Sequence, residues 1–222
     1  MGDDNISLDE RKARAMADSL FFFINSFVTI FSVLDPFGAA LTLIVITPDG
    51  DDIARKNFAV RSAKMAAITL LVFTVAGGFI FSFFGISINA LMVAGGVILM
   101  QISFKMLEGK PLTFGAAEVN DETPLKDDVA IIPMAVPVLA GPAAITTVVV
   151  FASRASGTGD WIALLAALTI ALLLTGYILR NSLKLSQWLG NTGIRMLTRL
   201  MGLILIAMGV EFVLSGFKGY FN

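Results

Sequence analysis

Asp35-Pro36-Phe37-Gly38 and Ala140-Gly141-Pro142 are the two places where this sequence concentrates chemistry, and both lie inside long apolar runs. Proline has no amide hydrogen to donate, so each site interrupts the helix around it. Asp35 is a good N-cap and Pro36 a good first helical residue. Gly38 permits close backbone approach. At the second site Gly141 caps and Pro142 restarts the helix. Ala143 and Ala144 leave the restart uncrowded, and Thr146 and Thr147 add hydroxyls. A restarted helix exposes up to four unpaired amide donors and carries roughly +0.5 charge at that end. Two such ends meeting in a membrane make a small, electropositive, donor-rich pocket suited to a carboxylate. Asp35 adds an acid within a span, a functional candidate by default. It is placed either to hold an ammonium group or to carry a coupled proton. Pro and Gly also merely kink membrane helices, but two matched breaks, one bearing an acid, favour a binding site.

The elements that position these breaks are membrane spans. Of the 222 residues 56% are hydrophobic and only 15% charged, against roughly a quarter charged in a soluble domain. A helix needs about 20 apolar residues to cross a bilayer, and six runs qualify. They are read at 19–46, 61–84, 90–107, 129–153, 161–179 and 198–217. The first and fourth carry the breaks, each near mid-span and therefore near the bilayer midplane. Residues 1–18 are polar; Ile6, Leu8, Ala13, Met16 and Ala17 form a weak apolar stripe that either lies on the membrane surface or belongs to a frayed tail. Residues 108–128 form the longest loop. An amphipathic connector with Arg180, Lys184, Trp188 and Arg195 joins spans five and six.

Composition excludes several functions. There is no Cys and no His, so disulfides, thiolate metal sites, Cys nucleophiles and His acid–base pairs are ruled out. An intramembrane enzyme would need one of these, so none is expected, and no cofactor. Asp35 with Glu211 is too few acids for a metal transporter. The net charge of −1 gives no case for nucleic acid. The acidic start, with Asp3, Asp4, Asp9 and Glu10, reads as no cleavable signal.

Pro36 and Pro142 stand 106 residues apart, and Met92-Val93-Ala94-Gly95 stands 107 before Arg199-Leu200-Met201-Gly202. Two anchors at nearly one spacing argue for duplication, with units at 19–107 and 129–218 joined by the loop 108–128. Each unit has three spans, an odd number, so the second enters from the opposite side: an inverted-topology repeat. The fold class is therefore an all-α membrane protein of six transmembrane helices in two inverted three-helix repeats, with helices 1 and 4 broken at the midplane. The loops at 47–64, 105–128 and 180–199 carry eleven Lys and Arg; the termini and the turns at 85–89 and 154–160 carry five. Cytoplasmic loops hold the excess, which places both termini outside.

The sequence resembles the MarC family, which includes small neutral amino acid transporters of the SnatA type. The resemblance is carried by Phe31-Ser32-Val33-Leu34-Asp35-Pro36-Phe37-Gly38, by Ala94-Gly95-Gly96, and most specifically by Ile132-Pro133-Met134-Ala135-Val136-Pro137-Val138-Leu139-Ala140-Gly141-Pro142-Ala143-Ala144-Ile145-Thr146-Thr147. It extends over nearly the whole chain beyond residue 18. It implies six spans, the plasma (inner) membrane of a prokaryote, and transport of small neutral amino acids such as glycine and alanine. Two positions depart from the pattern: some relatives carry Asn at Asp35, and many a basic residue at Met92.

Remaining polar residues have structural readings. Lys105 snorkels at a span end. Glu211, within the sixth span, is a second coupling candidate or an interfacial acid. Gln101 is read as an interhelical hydrogen-bond partner, Asn25 and Asn89 as span-end residues, and Gly77, Gly78, Gly95, Gly96, Gly202 and Gly209 as packing positions. The leading function is secondary transport of a small neutral amino acid by alternating access. The rivals are export of drugs or other metabolites, which would need a roomier cavity, and a non-transporting structural or sensor protein. Oligomeric state is open.

Overall fold

The computed structural model describes residues 8–46, 52–108 and 139–221, all built from helices and short turns. The helices are α1 (Leu8–Leu34), α2 (Pro36–Ile46), α3 (Asp52–Phe83), α4 (Ile88–Glu108), α5 (Pro142–Arg154), α6 (Thr158–Arg180) and α7 (Ser182–Phe221). Among the described residues five stretches are long and apolar enough to cross a membrane: Met16–Ile44, Arg55–Phe83, Ile88–Glu108, Thr158–Arg180 and Thr192–Phe221. Helix α5 is a shorter apolar helix. The part of the fourth span before Leu139 lies outside the described residues.

Local sequence sets the helix ends. Gly85 adopts φ 72° in the turn after α3, a conformation glycine enters without steric cost. Ser87 then caps α4, its Oγ accepting the Ala90 N–H at 3.1 Å, as a serine N-cap does. Asp160, in the first turn of α6, reaches back to accept the Ser156 N–H at 3.0 Å. Its other oxygen accepts the Ser19 hydroxyl at 3.3 Å, so the start of α6 is fastened to α1.

Helix α1 packs against α6, α4 against α7, α2 against α6 and α7, and α5 against α3 and α4. The α4–α7 contact is the closest. A Cβ on Gly96 would fall 2.5 Å from the Gly209 carbonyl oxygen, and one on Gly209 would fall 2.8 Å from that of Gly96. A Cβ on Gly216 would fall 2.7 Å from the Asn89 carbonyl oxygen, and one on Gly202 3.0 Å from Met106 Cβ. The pairing runs antiparallel. Gly202, Gly209 and Gly216 recur at seven-residue intervals, which keeps them on one helix face. Lipid provides no hydrophobic drive between helices, so close backbone packing of this kind carries association. Large apolar side chains such as Phe79, Phe83, Leu173, Leu203 and Leu214 are exposed on the outside of the bundle, where a bilayer would solvate them.

Several sequence expectations need correction. The connector after the fifth span is itself helical: Ser182 opens α7, and the bend falls at Gly190 with φ 63° and ψ 171°. Trp188 on this segment is fully in view of the surroundings, which fits an interfacial position. Asn25 lies well inside α1 rather than at a span end, its carbonyl oxygen accepting the Thr29 hydroxyl at 2.7 Å. Gln101 is exposed on α4 rather than buried between the described helices. Gly78 faces open space, whereas Gly77 packs on Val149. Arg55, counted in the sequence only as a cytoplasmic charge, is buried, on the α3 face that carries Ala59, Ser62, Ala66 and Leu70.

Candidate functional site

At the first break, Asp35 separates α1 from α2 with φ 37° and is the one non-glycine residue with positive φ among the described residues. Left-handed backbone costs about 1–2 kcal/mol for most L-residues, and Asp and Asn tolerate it best. The Asp35 N–H still reaches the Ser32 carbonyl at 3.2 Å, and the Ala39 N–H closes the first turn of α2 on the Asp35 carbonyl at 2.9 Å. The carboxylate folds over the start of α2. Its Oδ1 accepts the Gly38 N–H at 3.2 Å, and its Oδ2 is buried without a hydrogen-bond partner. A Cβ on Gly38 would occupy the place of Asp35 Oδ2, so the carboxyl group lies there only because position 38 is glycine. Asp35 and Pro36 are buried, while Phe37 and Gly38 are half-buried. The Phe37 ring meets Phe31 edge-on at 6.2 Å.

At the second break, Gly141 is the N-cap of α5 in extended conformation, φ −70° and ψ 176°, with no side chain capping the helix. The Ile145 N–H closes the first turn on the Gly141 carbonyl at 3.0 Å. The amides of Ala143 and Ala144 precede that first turn, so the helix supplies them no acceptor. Gly141, Ala143 and Ala144 are buried, whereas Pro142 itself is exposed. Thr146 is buried with its methyl against Gly95, where a Cβ would clash. Thr147 is buried with its hydroxyl unpartnered.

Side-chain contacts fix the relative depth of the two breaks. Phe22 of α1 packs edge-on against Phe151 of α5 at 5.8 Å, and Phe151 meets Phe212 of α7 at 6.3 Å. These three rings mark one level. Below it, Ser32 Oγ lies 3.3 Å from Met201 Sδ. Gly95, next to the Gly96 that touches Gly209, packs on Thr146, so α5 descends toward its N-terminus alongside α7. At 1.5 Å per residue, Ser32, Met201 and Pro142 lie about 15, 16 and 13 Å below the ring level. The end of α1 and the start of α5 therefore share a depth.

Glu211 is not part of this group. It is exposed on α7, accepts the Ser215 hydroxyl at 3.1 Å, and stands roughly 15 Å along the helix from Met201. Beside it, the Arg154 guanidinium lies over the Phe212 ring, 5.2 Å from its centroid. The sequence did not reveal the Phe22–Phe151–Phe212 group: with 18 Phe in the chain, no spacing singled these out. Nor did it reveal that Thr147 is left without a partner.

Helices packed through glycine backbones, with the α1–α2 break level with the start of α5, define a multi-pass integral membrane protein. The chain belongs to the MarC family of integral membrane proteins, whose family model matches residues 20–221. A UPF0056 membrane protein of Methanocaldococcus jannaschii is 36% identical over 198 residues, covering 89% of this chain and 97% of the relative. The UPF0056 membrane protein YvbG of Bacillus subtilis is 32% identical over 202 residues, covering 90% and 96%. YhcE of Escherichia coli, named likewise, is 31% identical over 199 residues, covering 88% and 91%. No solved structure matches. These relatives are prokaryotic, so the membrane is the plasma membrane.

Proposed function

We propose that this protein is a secondary transporter, not an enzyme, that binds a small neutral amino acid such as glycine or alanine between its two helix breaks. The observation that carries the reading is the second break: a buried helix start with no capping side chain, level with the Asp35 break. Buried amide donors without acceptors are costly, and a carboxylate at a helix N-terminus satisfies them and complements the macrodipole. The small side chains at Gly141, Ala143 and Ala144 suit a small ligand. The Pro36–Gly38 end and the Thr146 and Thr147 hydroxyls complete the site, with Asp35 for the ammonium group or for a coupled proton.

The proposed architecture is two inverted three-helix repeats, with both termini outside. Supporting it, α2 packs on α6 and α7 as α5 packs on α3 and α4. That is the exchange of roles an inverted pair requires if α2 corresponds to α5, α3 to α6 and α4 to α7. Rocking of one repeat against the other would alternate access.

The test is counterflow of radiolabelled alanine and glycine in proteoliposomes. Saturable exchange is expected for the wild type, and loss of it in Gly141→Leu, whose side chain fills the approach to the Ala143 and Ala144 amides. No uptake above empty vesicles with folded wild-type protein would overturn the assignment.

A further inference from the structure

We infer that the two breaks are chemically unlike: Asp35 closes the amide end of α2 with one carboxylate oxygen and receives the substrate's ammonium group on the other, leaving the amide end of α5 as the seat of the carboxylate. This rests on the transport reading and sharpens it.

The amide donors at the start of α2 are nearly all taken. Pro36 has none, the Gly38 N–H is taken by Asp35 Oδ1 at 3.2 Å, and the Ala39 N–H is taken by the Asp35 carbonyl at 2.9 Å. Only the Phe37 amide is left, and the capping carboxylate has already neutralised the positive end of the helix. A second carboxylate brought there would meet like charge. At α5 the opposite holds. Gly141 has no side chain to cap with, and the Ala143 and Ala144 amides point out of the helix start from buried residues. One break is thus capped by its own carboxylate, and the other starts on a residue with no side chain to cap it.

Asp35 Oδ2 points to a cation. It is buried and unpartnered, on a residue only 2% exposed, and Gly38 lacks the Cβ that would displace it. A carboxylate held out of water with one oxygen unsatisfied is unfavourable unless a cation completes it or it takes up a proton. A primary ammonium, with three donors, is the complement. The ligand class is therefore a small zwitterion, with an ammonium for one break and a carboxylate for the other. A carboxylic acid without the amine, or an amine without the acid, satisfies one break and leaves the other bare.

The experiment is competition for alanine counterflow in proteoliposomes, using alanine, propionate and ethylamine as competitors, in the wild type and in Asp35→Asn. Asn also accepts positive φ and the Gly38 N–H, so the variant keeps the local backbone. In the wild type only alanine is expected to compete. In Asp35→Asn the half-saturating alanine concentration rises roughly tenfold or more, the loss of a charge-assisted bond, and propionate comes to compete as well as alanine. Propionate competing equally in the wild type would overturn the inference without recourse to any variant. So would Asp35→Asn with unchanged alanine affinity and only a lost response to a pH gradient, which would make Asp35 a proton carrier. Absence of any wild-type counterflow would overturn the transport reading itself, and this one with it.

Discussion

Asp35 and Gly38 act as one unit. The carboxylate can lie over the start of α2 because position 38 has no Cβ, and it stays there because the Gly38 N–H holds Oδ1. Gly38→Ala should therefore evict Oδ2 from its place. We expect it to destabilise the protein by about 1–3 kcal/mol, as overpacking does, and to abolish counterflow. The thermal midpoint in detergent and the flux assay check this; normal flux would mean that the carboxylate position is immaterial. The identity of the cap was legible in the sequence, since an Asp followed by Pro and then Gly is a helix-start pattern. The positive φ and the lone Oδ2 were not. They depend on how the turn is packed, and no residue spacing encodes that.

At the scale of elements, α4 and α7 meet backbone to backbone. Gly209 sits at the crossing, with the Gly96 carbonyl where its side chain would be. Gly209→Val should force the helices apart and cost about 1–3 kcal/mol, seen as a lowered thermal midpoint, whereas Gly78→Ala, which faces open space, should leave it unchanged. Equal effects at both positions would refute the crossing. Most spans were legible because uninterrupted apolar runs of about 20 residues have few other readings. The continuation of helix through Ser182–Leu189 was not: polar residues hid it, and the break comes only at Gly190. The exposure of Gln101 was not legible either, because a polar residue in an apolar run does not show which way it faces.

For the whole molecule, the packing of α2 and α5 on exchanged partners makes the inverted repeat an economical account of a chain whose halves share little sequence beyond Pro36, Pro142 and the Ala94-Gly95 and Met201-Gly202 neighbourhoods. Under the proposed function, inversion would bring two like breaks to one depth, and Asp35 would make them unlike, giving a two-charged substrate a single orientation. Asp35 and Pro142 were found from the sequence by their chemistry. Thr147 mattered less there, because a hydroxyl in a helix ordinarily bonds to its own backbone, and here it does not.

The central claim is that substrate lies between the breaks, and the absence of cysteine permits a direct measurement. Thr147→Cys would be the only thiol in the chain. Its alkylation rate in proteoliposomes should fall when alanine or glycine is added and stay constant with propionate, in protein whose counterflow is retained. An alkylation rate indifferent to alanine, with transport intact, would place the substrate elsewhere and contradict the account.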